Sequence, residues 1–206
     1  MNTQVIPLSI TLAFAIASPT FASSAVDLTV RGAITPNACE SLLSGGGVVD
    51  FGKMSAGDLN ADQFSTLPEQ ALTLSVRCEG PTLFILSTID NRAGSSAMHR
   101  SWHGLGMTAE NEKLGGSRFD LLTPIADGLQ VRTITSLDGT TWVPSTALNP
   151  YLLTAIAAAN GIDVPIAVKT FDAQIKLETH IAPGGDLTLI DEIPIDGSAT
   201  LQLKYL

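Results

Sequence analysis

Ala71-Leu72-Thr73-Leu74-Ser75-Val76-Arg77-Cys78 decides the fold class of this chain. Leu72, Leu74, Val76 and Cys78 alternate with Thr73, Ser75 and Arg77. Side chains leave a strand on opposite faces with a period of two, so the pattern predicts a half-buried strand. The run 167–181 repeats it through Phe171, Ala173, Ile175, Leu177 and Thr179. At the C-terminus, Ala199, Leu201, Leu203 and Tyr205 share one face, and Thr200, Gln202 and Lys204 the other. Shorter strands are predicted at 48–52, after the Gly45-Gly46-Gly47 turn, and at 83–88, paired with 71–78 across Glu79-Gly80-Pro81. Others fall at 104–109, 117–122, 129–135 and 187–190, the last after Pro183-Gly184-Gly185. Many short strands divided by Gly, Pro, Asn and Asp predict an all-β sandwich.

One segment departs from this pattern. Residues 150–160, Pro-Tyr-Leu-Leu-Thr-Ala-Ile-Ala-Ala-Ala-Asn, are rich in strong helix formers. Asn149 is placed to cap a helix, Pro150 suits its first turn, and Asn160-Gly161 suits its end. A short helical excursion is predicted there.

Residues 1–22 read as a secretory signal peptide. An apolar run over 5–17 is broken by Ser18-Pro19, and Thr20-Phe21-Ala22 places small residues at the −3 and −1 positions. The run is shorter than the roughly 20 apolar residues that a bilayer span needs. Residues 23–206 are the length of one ordinary domain. The chain has 11 basic and 20 acidic residues, a net charge of −9. That balance speaks against nucleic acid, which requires clustered Lys and Arg to displace counterions. Two cysteines, Cys39 and Cys78, in an exported chain predict one disulfide.

A second alternating stretch follows the signal: Val26, Leu28, Val30, Gly32 and Ile34 lie on one face of a strand that runs on to Cys39. An alternating apolar strand near the mature N-terminus, with a glycine on its apolar face, resembles the donor strand of chaperone–usher pilins. Three further features are similar to that family, in the same order. They are Val49-Asp50-Phe51-Gly52, the strand Leu72-x-Leu74-x-Val76-x-Cys78, and a last strand with Tyr205 in the penultimate position. Gly104-Leu105-Gly106-Met107 with Lys113-Leu114-Gly115 looks like the family's mid-domain strand pair. Residues 37–47 and Asp90-Asn91-Arg92 look more like an uncharacterised fimbrial-like branch of exported proteins than a major pilin.

The resemblance implies an immunoglobulin-like β-sandwich with an incomplete sheet. Residues 1–22 are then the signal, 23–35 the donor-strand extension and 36–206 the pilin-like domain. It implies a structural subunit of a fimbria or fimbrial-like assembly, joined by donor-strand exchange after transit with a periplasmic chaperone. Its partners are then that chaperone, an outer-membrane usher and other pilin-like subunits, in a homo- or hetero-polymer. The strand carrying Leu201, Leu203, Tyr205 and Leu206 borders the groove that the chaperone grips. The expected location is the periplasm in transit, then the cell surface or medium. Gly32 alternatively reads as a bulge in an ordinary first strand. The rival function is a self-contained exported sandwich that binds carbohydrate or another ligand, and a periplasmic hydrolase is a remote third.

No enzyme chemistry, cofactor or metal is expected. Asp58-x-Asn60-x-Asp62 with Glu69 has the spacing of EF-hand ligands, but Gln63 stands where the loop needs glycine. It reads as a solvated loop. His99 and His103 are four apart, a spacing that brings ligands together only on a helix, and this stretch reads as loop. There is no Gly-x-Ser-x-Gly elbow. Trp102, Trp142 and Tyr151 are candidate sugar-stacking residues, although with 5% aromatics most are expected in the core.

Overall fold

In a computed structural model of the chain, the structure describes residues 38–206. The signal segment and the donor-strand candidates Val26, Leu28, Val30, Gly32 and Ile34 lie outside the described residues. The strands begin with β1 (Cys39–Leu43), β2 (Ser65–Thr66), β3 (Gln70–Thr82), β4 (Phe84–Asp90), β5 (His103–Gly104) and β6 (Gly115–Ala126). There follow β7 (Leu129–Ser136), β8 (Val143–Pro144), β9 (Ala147–Leu148), β10 (Leu153–Ala158), β11 (Val168–Ile181) and β12 (Ala199–Tyr205). The helical pieces among the described residues are single 3-10 turns.

The protein is all-β. One antiparallel path runs β1-β3-β11-β6-β7-β10-β4-β12. The β6–β7 hairpin joins two layers, β1-β3-β11-β6 and β7-β10-β4-β12, into a nearly closed sandwich. Its turn is Asp127-Gly128, both with positive φ (50° and 78°), the geometry that fits the right-handed twist of flanking strands. Asp127 Oδ1 also accepts hydrogen bonds from the Lys169 and Thr170 backbone N–H groups, which ties the hairpin to the start of β11.

The core lies between the layers. Leu74 and Val76 of β3, Leu121 of β6 and Phe171, Ala173 and Ile175 of β11 meet Phe84 and Leu86 of β4 and Ile156 of β10. Phe84 and Phe171 pack edge to face at 6.4 Å, an arrangement that aligns the positive rim of one ring with the negative face of the other. The alternation read at 71–78 and 167–181 holds: Leu74, Val76 and Cys78, and Phe171, Ala173, Ile175 and Leu177, are buried. The outward Arg77 pairs with Asp172 at 2.8 Å across the β3–β11 ladder.

Five local expectations are corrected. Residues 104–109 are not one strand: β5 holds only His103–Gly104, and Met107 makes a single isolated bridge to Lys113. Residues 150–160 hold no helix; 153–158 are strand β10, between β7 and β4. Its small residues suit a layer covered on both faces. Ala155 and Ala157 meet Ile85 and Ile134 on one side, and Ile156 enters the core on the other. Burial outweighs a helix propensity worth a few tenths of a kcal/mol per residue. Strands β3 and β4 are consecutive but belong to different layers, so they do not pair with each other. Residues 48–52 form no ladder: the three glycines before them take positive φ, and Asp50 Oδ1 caps the Gly52 N–H in a local turn. Residues 187–190 are not a strand either; Leu187 packs with Leu67, Leu105 and Ile181 in a second small core.

Candidate functional site

The two ends of the sheet path create the site. β12 pairs with β4 on one side and has no strand on its other side among the described residues. β1 is likewise the outermost strand of its layer. Between β12 on one rim and β1 with residues 48–56 on the other, a groove of about 760 Å3 opens onto the core. Its floor comes from Leu72 of β3, Ile175, Leu177 and Ile181 of β11, and Phe119 of β6. Leu201 and Ala199 line one wall, Leu43, Val49 and Phe51 the other, and Ile193 and Ile195 one end. Ile175, Leu177 and Ile181 keep only 5%, 8% and 2% of their surface exposed. The floor of the site is therefore buried core, reached through the gap between the two rims.

Two contacts bridge its rims. The Cys39 backbone N–H donates to the Tyr205 hydroxyl at 2.9 Å, and Lys53 pairs with Glu192 at 2.7 Å. Both ends of that ion pair are well exposed, where solvent screening leaves such pairs little strength.

His103 sits in the wall. Its ring stacks on Phe119 at 4.1 Å, and Nε2 bonds the Thr88 hydroxyl at 2.9 Å. Burial pushes its pKa below the ordinary histidine value, against the opposing pull of the Asp90 charge and of the Ser117 backbone. A neutral imidazole adds no charge to this wall at neutral pH. The charged lining groups, Asp50, Lys53, Asp191 and Glu192, lie on the rim segments. Chemically, the arrangement suits an extended apolar segment: side chains for the slots, and a backbone edge for hydrogen bonds.

The predicted site residues fall as follows. Cys39 and Cys78 are disulfide-bonded and directly opposite in the β1–β3 register. Leu201 lines the groove, while Leu203 packs on the core beneath it. Tyr205 reaches across to β1, and Leu206, 58% exposed, donates its N–H to the Leu83 carbonyl. Asp58 is used in a capping box with Ser55, and Glu69 pairs with Lys176, so the EF-hand-like spacing brings no ligand set together. Among the described residues no group of three or more His, Cys, Asp or Glu could hold a metal ion. His99 bonds Ser101, apart from the buried His103. Trp102 packs edge-on against His180, Trp142 against Ile85 and Ile134, and Tyr151 is left exposed. The sequence reading missed His103, Val49, Phe51, Ile193 and Ile195 as groove residues. Only the end-to-end closure of the sheet path brings these separate segments together.

An all-β sandwich with an open apolar groove between its terminal strands is the class of protein defined here. Residues 28–119 match a family described as "Protein of unknown function (DUF1120)". The chain is similar to Protein GltF of Escherichia coli (strain K12), 36% identical over 74 residues that cover 34% of this chain and 29% of GltF. It is also similar to Uncharacterized protein YhcF of the same strain, 22% identical over 224 residues that cover 90% of this chain and 92% of YhcF.

Proposed function

We propose that this chain is a pilin-like subunit of a fimbrial or fimbrial-like assembly, completed by strand addition. The carrying observation is the groove: an apolar slot about 760 Å3 in volume beside a strand with one unpaired edge. A long unpaired edge next to exposed core is an association hazard that natural proteins cover. An extended segment supplies both missing elements, backbone hydrogen bonds to β12 and alternate side chains for the slots. The alternating stretch Val26, Leu28, Val30, Gly32, Ile34 has the required pattern, and in this reading it comes from a neighbouring subunit. A periplasmic chaperone strand holds the groove during export, and the outer-membrane usher exchanges it for the neighbour's segment. The subunit acts by assembly and performs no catalysis.

A synthetic peptide of residues 23–36 tests this. It should bind the full chain, raise its melting temperature and slow association between subunits. The same peptide with Gly32→Leu should do neither, because a side chain there meets the groove floor and overpacking costs about 1–3 kcal/mol. Equal effects of the two peptides, or none from either, would refute the proposal.

A further inference from the structure

Residues 188–198 run from the last 3-10 turn to β12 and line one end of the groove without entering a helix or a strand. Their sequence accounts for this. Pro194 has no N–H to give to a ladder, and Asp191 and Glu192 interrupt the apolar residues Leu189, Ile193 and Ile195. The segment is tied at both ends. Upstream, Glu112 accepts from the Thr188 backbone N–H at 2.7 Å and from the Thr188 hydroxyl at 2.9 Å. Downstream, the Arg92 guanidinium donates twice to Asp196 Oδ2, at 2.9 and 2.7 Å, and the Asp196 N–H donates to the Leu105 carbonyl at 3.0 Å. Between these ties, residues 189–195 make no backbone–backbone hydrogen bond among the described residues.

Apolar contact and one ion pair hold the span between the ties. Ile193 and Ile195 are half-buried against the second small core and also line the groove. Facing them is the segment 49–55, equally without a ladder, whose Phe51 packs on the same core. Lys53 and Glu192, 2.7 Å apart, make the one ion pair between the two segments among the described residues. Lifting residues 189–195 therefore unzips no ladder. A fold opens first where backbone hydrogen bonds and packing are fewest.

The length of the groove decides which end yields. β12 offers seven residues of edge, an extended length of about 20 Å. The alternating stretch 26–34 extends over about 27 Å, so it overruns that edge by about two residues. At the Tyr205 end the rim is β1, fixed to β3 by its ladder and by the Cys39–Cys78 disulfide. At the Ala199 end the rim is the segment 188–198, fixed only at its ties.

We infer that residues 189–195 are a strap that closes the Ala199 end of the groove in the free chain and lifts, on its ties at Thr188 and Asp196, when an extended segment fills the groove. This rests on the strand-addition reading of the groove. The strap regulates that addition: Ile193 and Ile195 stay in the empty groove, and capture waits on their displacement, which slows association below that of a preformed site.

The test locks the strap. Lys53→Cys and Glu192→Cys are introduced together and joined by a short bismaleimide; Cys39 and Cys78 are bonded to each other, so no other thiol reacts. The same double variant capped at both thiols with N-ethylmaleimide controls for bulk. By stopped-flow, the capped protein should take up peptide 23–36 at the wild-type rate, and the linked protein at least about tenfold more slowly. Arg92→Gln, which unties the downstream end, should speed uptake about tenfold, the worth of one charge-assisted hydrogen bond. Equal rates for linked and capped protein, or unchanged or slower uptake by folded Arg92→Gln, would overturn the strap and leave the groove reading standing. No uptake by wild type and capped protein alike would refute the groove reading, and the strap with it.

Discussion

Replacing Cys39 and Cys78 together by alanine should destabilise the chain by about 4 kcal/mol. The disulfide closes a loop of 39 residues, and the loop-entropy relation for a loop of that length gives roughly 4 kcal/mol lost from the constraint on the unfolded chain. That is a large share of the total for a domain, which is typically about 5–15 kcal/mol. It corresponds to a fall of about 8–16 °C in melting temperature at this size. The local consequence is as informative. β1 is an edge strand held by one ladder, to β3, and by the Cys39–Tyr205 hydrogen bond. Without the cross-link β1 should open first, and Leu43 with it, which removes part of one groove wall. Urea denaturation of the oxidised protein and the double variant measures the free energy, and hydrogen exchange at residues 39–43 measures the opening. A change below about 1 kcal/mol with β1 amides still protected would refute the reasoning, because neither the loop closure nor the edge anchoring would then contribute as described.

Leu201→Ala should weaken binding of peptide 23–36 about fivefold. The side chain is half-buried in the open groove, and its remaining burial on strand addition is worth about 1 kcal/mol; calorimetry showing equal affinity would count against the groove assignment. Ala157→Leu should cost about 1–3 kcal/mol in thermal melts, since Ala157 is fully buried against Ile85 and Ile134; a helix at this position would accept leucine without loss. Glu112 should make stability depend on acid pH. The Thr188 backbone N–H, against some desolvation and together with the Thr188 and Thr108 hydroxyls, holds its carboxyl below the usual value of 4.5. Its folded pKa is depressed, so its stabilisation is present above the unfolded value and is lost as pH falls through the folded one. Melting temperatures taken from pH 6 down to pH 3 should therefore converge between wild type and Glu112→Gln at the acid end, and parallel curves would contradict it.

The alternation of Leu72, Leu74, Val76 and Cys78, and of Phe171 through Leu177, determined by itself that this chain is all-β and which faces are inside. A period of two leaves little choice once one face is apolar. Two cysteines in a chain that reads as exported were enough for the disulfide. The strand at 153–158 was hidden because its alanines carry a helix preference, and only the flat space between β7 and β4, with core on both faces, overrides it. Loops were misread at 48–52 and 187–190 for a related reason: short apolar runs look like strands, but these were packing into the groove rim and the second core without a ladder partner. The groove itself was beyond any local reading. Its lining comes from segments as far apart as Leu43 and Leu201, and they meet only because the sheet path returns almost to its start, with the Cys39 N–H hydrogen-bonded to the Tyr205 hydroxyl and no strand between β1 and β12 among the described residues. Periodicity reports the face on which a side chain lies; whether two distant edges come together or leave a gap depends on strand order and twist, which long-range pairing alone decides.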